Sequence, residues 1–131
     1  MIDYSVLAQP KGSSRLDRAI VKKAARLDDE RQLRAWSFAV RVRDRWTDRK
    51  TGRRVLRTVN LDPDRGEAHH IAGKDDRAVR YDVRNGICLS LATHQAVEMG
   101  RLRIEGTKFF TVKGTRYIDA TSAVVFVRTS P

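Results

Sequence analysis

The feature that most limits this chain is a change of period near residue 50. Upstream, Leu16, Ile20, Ala24 and Leu27 recur at helical spacing, and Leu33, Trp36 and Val40 continue the pattern to about Arg45. The spacing predicts helix over much of 15–45, opened by a cap in which Ser14 is followed three residues later by Asp17. Downstream of a polar, basic connection from Trp46 to Arg54, the apolar residues come in short runs broken by glycines and an Asp62-Pro63-Asp64-Arg65-Gly66 turn. Val55–Leu61, Glu67–Ile71, Ile87–Leu91, Leu102–Ile104, Phe109–Val112, Thr115–Ile118 and Ala123–Val127 read as strands. Residues 72–84 read as a long charged loop, and Thr93–Met99 as a short helix stopped by Gly100. The last two strands are expected to pair with each other or to edge the central hairpin.

The pattern predicts an α+β fold in a single domain over 1–131. Its parts are a loose tail at 1–13, a basic helical segment at 14–45, a core at 55–100 and a β extension at 101–131. A chain of 131 residues has length for one modest core.

The formal charge of +11 points to a polyanionic partner, and nucleic acid is the commonest. The charge is uneven. Residues 1–57 hold 16 lysines and arginines against 7 acids, whereas 58–131 hold 11 against 9. The basic half and the half with unusual chemistry are therefore different stretches of chain. One cysteine, Cys88, rules out an intrachain disulfide and an all-cysteine zinc site, and reads as a small buried strand residue. No apolar run approaches the ~18 residues of a membrane span, and the N-terminus lacks a secretory layout. A cytoplasmic chain with no membrane partner is expected.

The chemistry is concentrated in the only three histidines, His69, His70 and His94. His69-His70 end one strand, Asn85 precedes the next, and His94 falls in the first turn of the helix that follows. Strand, loop, strand and helix with this spacing would fold His94 back over the pair. Taken singly, each is an ordinary residue: strand histidines, an Asn85-Gly86 turn, a helix-start histidine. The combined spacing is what favours a site. Adjacent residues on a regular strand point to opposite faces, so His69 and His70 cannot both face one ion.

The segment Glu67-Ala-His-His-Ile71, then Arg80-Tyr-Asp-Val-Arg-Asn-Gly-Ile-Cys-Leu89, then His94 resembles the HNH endonuclease motif, whose core is a ββα fold around one divalent metal. The likeness covers about residues 65–106, with weaker echoes at Arg41-Val-Arg-Asp44 and Thr51-Gly52. It implies a DNA-cutting phosphodiesterase, bacterial or phage-encoded, with His69 and His94 as metal ligands and His70 as general base. Asn85 would brace the loop and orient that base. One ion is implied, Mg²⁺ or Mn²⁺, and two imidazole ligands leave room for Ni²⁺ or Zn²⁺ in a crystal. Those residue types suit the reaction: an imidazole takes a proton near neutral pH, and a cation stabilises charge building on phosphate oxygens. The resemblance also resolves the pair, giving one histidine the ion and the other the attacking water.

The chain departs from the family in lacking its zinc cysteines. The downstream pair would fall at Ser90 and Thr93, so no structural zinc is expected, and the core and N-terminal helix are expected to stabilise the fold. One helical turn after His94 stands Glu98, read as a solvated helix residue, although its spacing permits a third ligand. Arg77, Arg80 and Arg84 lie between the two halves of the motif and are candidate phosphate contacts on DNA. Trp36 and Trp46 read as packing residues rather than base-stacking platforms. Asp75, Asp76 and Asp82 read as solvated or paired with nearby arginines. The competing functions are a catalytically inactive DNA-binding module of HNH-like shape and an RNA-cleaving toxin.

Overall fold

A computed structural model describes residues 14–129; the tail expected at 1–13 lies outside the described residues. The chain divides into two compact units, residues 1–35 and 36–131. Helix α1, Arg15–Arg43, runs through the boundary.

In the first unit the expected cap forms: the amide of Asp17 donates to Ser14 Oγ at 3.1 Å, satisfying one of the helix's orphan donors. The stripe Arg15, Arg18, Lys22 and Arg26 is exposed, as are Leu16, Ile20 and Leu27 beside it. Asp28 is buried and accepts from Gln32 Nε2, one turn on, at 2.7 Å.

In the second unit the end of α1 becomes a core element. Trp36 and Val40 are buried against Gly86. A Cβ on Gly86 would lie 2.4 Å from Val40 Cγ2 and 2.6 Å from Trp36 Cζ2, so the helix docks at this depth only because the strand beneath has no side chain there. The helix stops where Arg45 and Trp46 take positive φ, 56° and 51°.

The strand expected at 55–61 does not form. Val55 is buried, but Leu56, Val59 and Leu61 are 47, 92 and 83% exposed. Within the segment only Leu56 makes a bridge, to Arg65; the neighbouring Thr47–Arg54 bridge lies just before it. Alternation supplied a face, but no neighbouring strand runs alongside to complete a ladder.

Strand β1, Gly66–His70, pairs antiparallel with β2, Gly86–Ser90, in a register that sets His69 opposite Ile87 and His70 opposite Gly86. Helix α2, Leu91–Glu98, follows at once, with Ser90 as its N-cap accepting from the Thr93 amide. Four strands complete the chain: β3 Leu102–Gly106, β4 Phe109–Val112, β5 Thr115–Ile118 and β6 Val124–Arg128. The last two do not pair with each other and do not edge the β1–β2 sheet. β5 turns back on β4 through Lys113-Gly114, both at positive φ as a tight hairpin requires. β6 returns to β3. The architecture is α+β.

Two apolar clusters hold this unit. Ile87, Leu89 and Ala120 are fully buried, with Ile71, Val97, Ile104, Val124 and Phe126 against them. Val79, Phe110 and Tyr117 form the second, under the loop at 72–84. Cys88 is a free, fully buried strand residue, its thiol pushed up to about 12 mainly by desolvation. Among the described residues no helix is long and apolar enough to cross a membrane.

Candidate metal centre

Strand pleating separates the two adjacent histidines. His69 points to α2, where its ring centroid lies 5.0 Å from that of His94, at 64°. Glu98, one turn beyond His94, brings its carboxylate between them. Glu98 Oε1 is 3.1 Å from His94 Nε2 and 3.4 Å from His69 Nδ1. All three ligand atoms lie within 4.8 Å of one another. Donors bound at ~2.0–2.1 Å around one ion sit roughly 3–3.5 Å apart, so the carboxylate distances already match a shared cation. Two imidazoles and one carboxylate form a donor set that suits a divalent transition ion, with positions left open for water or substrate. Glu98 is 61% exposed, as expected of a solvated helix residue, and its carboxylate also comes within reach of both imidazoles, the third-ligand position its spacing permits.

His69 is the most sheltered member, its side chain 12% exposed. Burial, and then the neighbouring His94, lower its pKa to about 4. It is therefore neutral near pH 7, the form in which an imidazole binds a metal. A further carboxylate, Glu67, stands 3.8 Å from His94 Nδ1 and pairs with Arg65 at 3.0 Å.

His70 faces the other way. Its ring stacks on Trp36, centroids 3.7 Å apart and planes 7° off parallel. Its Nε2 lies 3.0 Å from the Arg80 carbonyl oxygen. A carbonyl can only accept, so Nε2 carries the proton and Nδ1 keeps its lone pair. Burial lowers the His70 pKa below the ordinary histidine value, which keeps that lone pair unprotonated near neutrality. Trp36 is itself fixed, its Nε1 donating to the Asp82 carbonyl at 2.9 Å.

Asn85 is buried and acts on backbone. Its Oδ1 accepts from the Ala72 amide at 2.8 Å and its Nδ2 donates to the Val79 carbonyl at 3.3 Å. The loop that presents Arg80 to His70 is thus tied at both ends by one side chain. The side-chain hydrogen bonds of Asn85 go to the backbone of this loop.

The loop arginines have differing surroundings. Arg77 is exposed. Arg80 donates to the Lys74 carbonyl. Arg84 pairs with Asp82 at 2.8 Å and lies over the Phe110 ring at 3.9 Å, so half of its polar edge is already taken. That hydrogen bond from Arg84 also holds the Asp82 carboxyl below its usual range. Asp76 accepts from the Tyr117 hydroxyl at 2.8 Å.

Two buried carboxylates went unnoticed in the sequence. Asp48 Oδ2 accepts from Ser90 Oγ at 3.0 Å and Thr93 Oγ1 at 2.6 Å, and Oδ1 accepts from the Lys50 amide. It clasps the first turn of α2, which carries His94. Asp44 accepts from Arg43, Arg49 and the Cys88 amide, each at 2.9 Å, joining the end of α1 to β2. Where no structural zinc was expected and the core and N-terminal helix were expected to stabilise the fold, this clasp adds a polar tie. Its signal was available at Ser90 and Thr93, two hydroxyls three residues apart where a zinc-binding family carries cysteines. Comparison with protein-family models, curated proteins and solved structures found no match for the chain.

Proposed function

We propose that this protein is a divalent-metal-dependent endonuclease of HNH type that hydrolyses DNA phosphodiester bonds. One observation carries the reading: on a single strand, consecutive histidines face opposite sides, one in a three-donor cluster and the other half-buried, neutral and tautomer-fixed. Hydrolysis of a phosphodiester needs both parts, a cation and a base, held separately.

In this mechanism His69, His94 and Glu98 would hold one ion, which when bound stabilises charge on the non-bridging and leaving oxygens of the phosphate. Mn²⁺ suits two nitrogens and one oxygen better than Mg²⁺, which prefers oxygen. His70 Nδ1 takes the proton of the attacking water, and the Arg80 carbonyl stabilises the imidazolium that results. Trp36 keeps the ring plane fixed while the proton moves. The net charge of +11 favours the polyanionic substrate, and Arg77, Arg80 and Arg84 would contribute phosphate contacts.

The test is nicking of supercoiled plasmid with Mn²⁺ or Mg²⁺, with RNA offered in parallel. His70→Ala should lower the nicking rate about 10²–10⁴-fold, with Mn²⁺ affinity unchanged by calorimetry. Wild-type protein that binds DNA yet shows no metal-dependent nicking would be a binding module, and the enzyme reading would fall.

A further inference from the structure

Beside the metal cluster lies a second concavity, of about 500 Å³, lined by Arg41, Trp46, Arg57, Thr58, Arg65 and Glu67 among others. The guanidinium carbons of Arg41 and Arg57 sit 5.0 and 4.4 Å from the Trp46 ring centroid. Such stacking holds a guanidinium plane at low entropic cost while leaving its N–H edge available. Arg65 is already engaged. It pairs with Glu67 and donates to the Val59 carbonyl at 3.2 Å, so it shapes the wall. That leaves Arg41 and Arg57 uncompensated: Arg41 donates to Ser37 Oγ, a neutral group, and Arg57 makes no ion pair among the described residues.

Two further facts point to an absent acceptor. Arg41 Nε and Arg65 Nε are both shielded from water with no hydrogen-bond partner, so the groove's own residues leave two donors on its arginines unmet. The groove is also continuous with the candidate site. Gly66 and Glu67 line it, and His69 follows on the same strand. At ~3.3 Å per residue, Gly66 is roughly 10 Å from His69.

We infer that this groove binds the sugar-phosphate backbone of DNA to one side of the bond to be cut, with Arg41 and Arg57 as paired phosphate donors braced on Trp46. The inference rests on the nucleic-acid partner of the proposed function and not on its chemistry. Trp46 acts here as a platform for guanidinium groups, with no base stacked on it. Val59, which also lines the groove, is 92% exposed.

The experiment is binding of the full chain to a DNA duplex of about 20 base pairs in EDTA, where cleavage cannot occur, across a salt series. Arg57 is exposed, so its replacement leaves the core intact. Arg57→Ala should raise Kd roughly 3- to 10-fold and flatten the slope of log affinity against log salt by about 0.9, the value of one lost phosphate contact. Arg57→Lys should keep the slope. Arg116→Ala, on the β4–β5 hairpin, should change neither. The groove is refuted if Arg57→Ala binds as wild type does, if Arg116→Ala loses as much, or if the chain takes RNA and ignores DNA. The two readings part cleanly. An Arg57-dependent salt slope without nicking spares the groove and sinks the nuclease; normal nicking with an indifferent Arg57 does the reverse.

Discussion

The two faces of β1 solve different problems. On the His69 face, the donors come from two elements and one of them, Glu98, stands largely in solvent. The cluster is held from behind, by the Asp48 clasp on α2, and is open in front. On the His70 face almost everything is fixed: a ring stacked on Trp36, a carbonyl on Nε2, and a loop tied by Asn85. An ion can choose among open positions, whereas a base is useful only in one tautomer and one orientation. The contrast teaches that the open face should tolerate change in its ligands more readily than in its supports.

The largest effect should come from removing a support. Asp48→Ala leaves the Ser90 and Thr93 hydroxyls without their acceptor in a buried site, and should cost about 3 kcal/mol or more in denaturant unfolding. The His70 face shares no contact with Asp48, so metal affinity should suffer more than His70 orientation. A variant as stable as wild type would remove the clasp from the account.

Acid should separate the faces next. Sheltering lowers the His69 pKa from 6.5 to about 4. The unfolded chain takes up this proton below about pH 6.5 and the folded chain resists it. Stability from this group is therefore present above 6.5 and lost as pH falls toward 4. The loss is on the order of 3 kcal/mol by linkage. In the metal-free protein, the fall in Tm from pH 7.5 to 4 should be smaller for His69→Asn than for wild type. Parallel curves would mean that His69 is not held neutral by its surroundings.

The smallest effect belongs to Glu98, the exposed member of the candidate cluster. Glu98→Gln keeps the shape and removes the charge, and should weaken Mn²⁺ binding roughly 10- to 100-fold with little change in Tm. Unchanged affinity would return Glu98 to the solvated helix face.

Much of this molecule was legible in its sequence, and the misses share a cause. The helix from Arg15 follows from apolar spacing and a serine cap, both of them local. The strands at Phe109–Val112 and Thr115–Ile118 were legible, but their pairing through the Lys113-Gly114 turn was not, since β5 was expected against the last strand or the central hairpin. Val55–Leu61 alternates as a strand should, yet has no strand beside it, and a ladder is a property of two segments. The pairing of β3 with β6 was misjudged for the same reason. The partner of β6 is fixed by tertiary packing: Val124 and Phe126 lie against the cluster of Ile87, Leu89 and Ala120, to which Ile104 of β3 also packs.

Asp48 and Asp44 were missed because a lone aspartate in a basic stretch looks like a solvated counter-charge. Its burial depends on hydroxyls and amides more than forty positions away. Glu98 was weighed by its exposure, a sound guide for a helix residue on its own. What changed its standing was His69, a strand residue that no helical spacing could bring into view.

By itself the sequence determined the periodicities, the excess of positive charge and the opposed directions of His69 and His70, since each depends on neighbours in the chain. Only the tertiary structure decided which strands meet, which carboxylates go inside and that Glu98 joins His69 and His94 in one small volume. Those depend on the distance between residues far apart in order, and close packing of the core, Gly86 beneath Trp36 and Val40 among it, is what sets that distance.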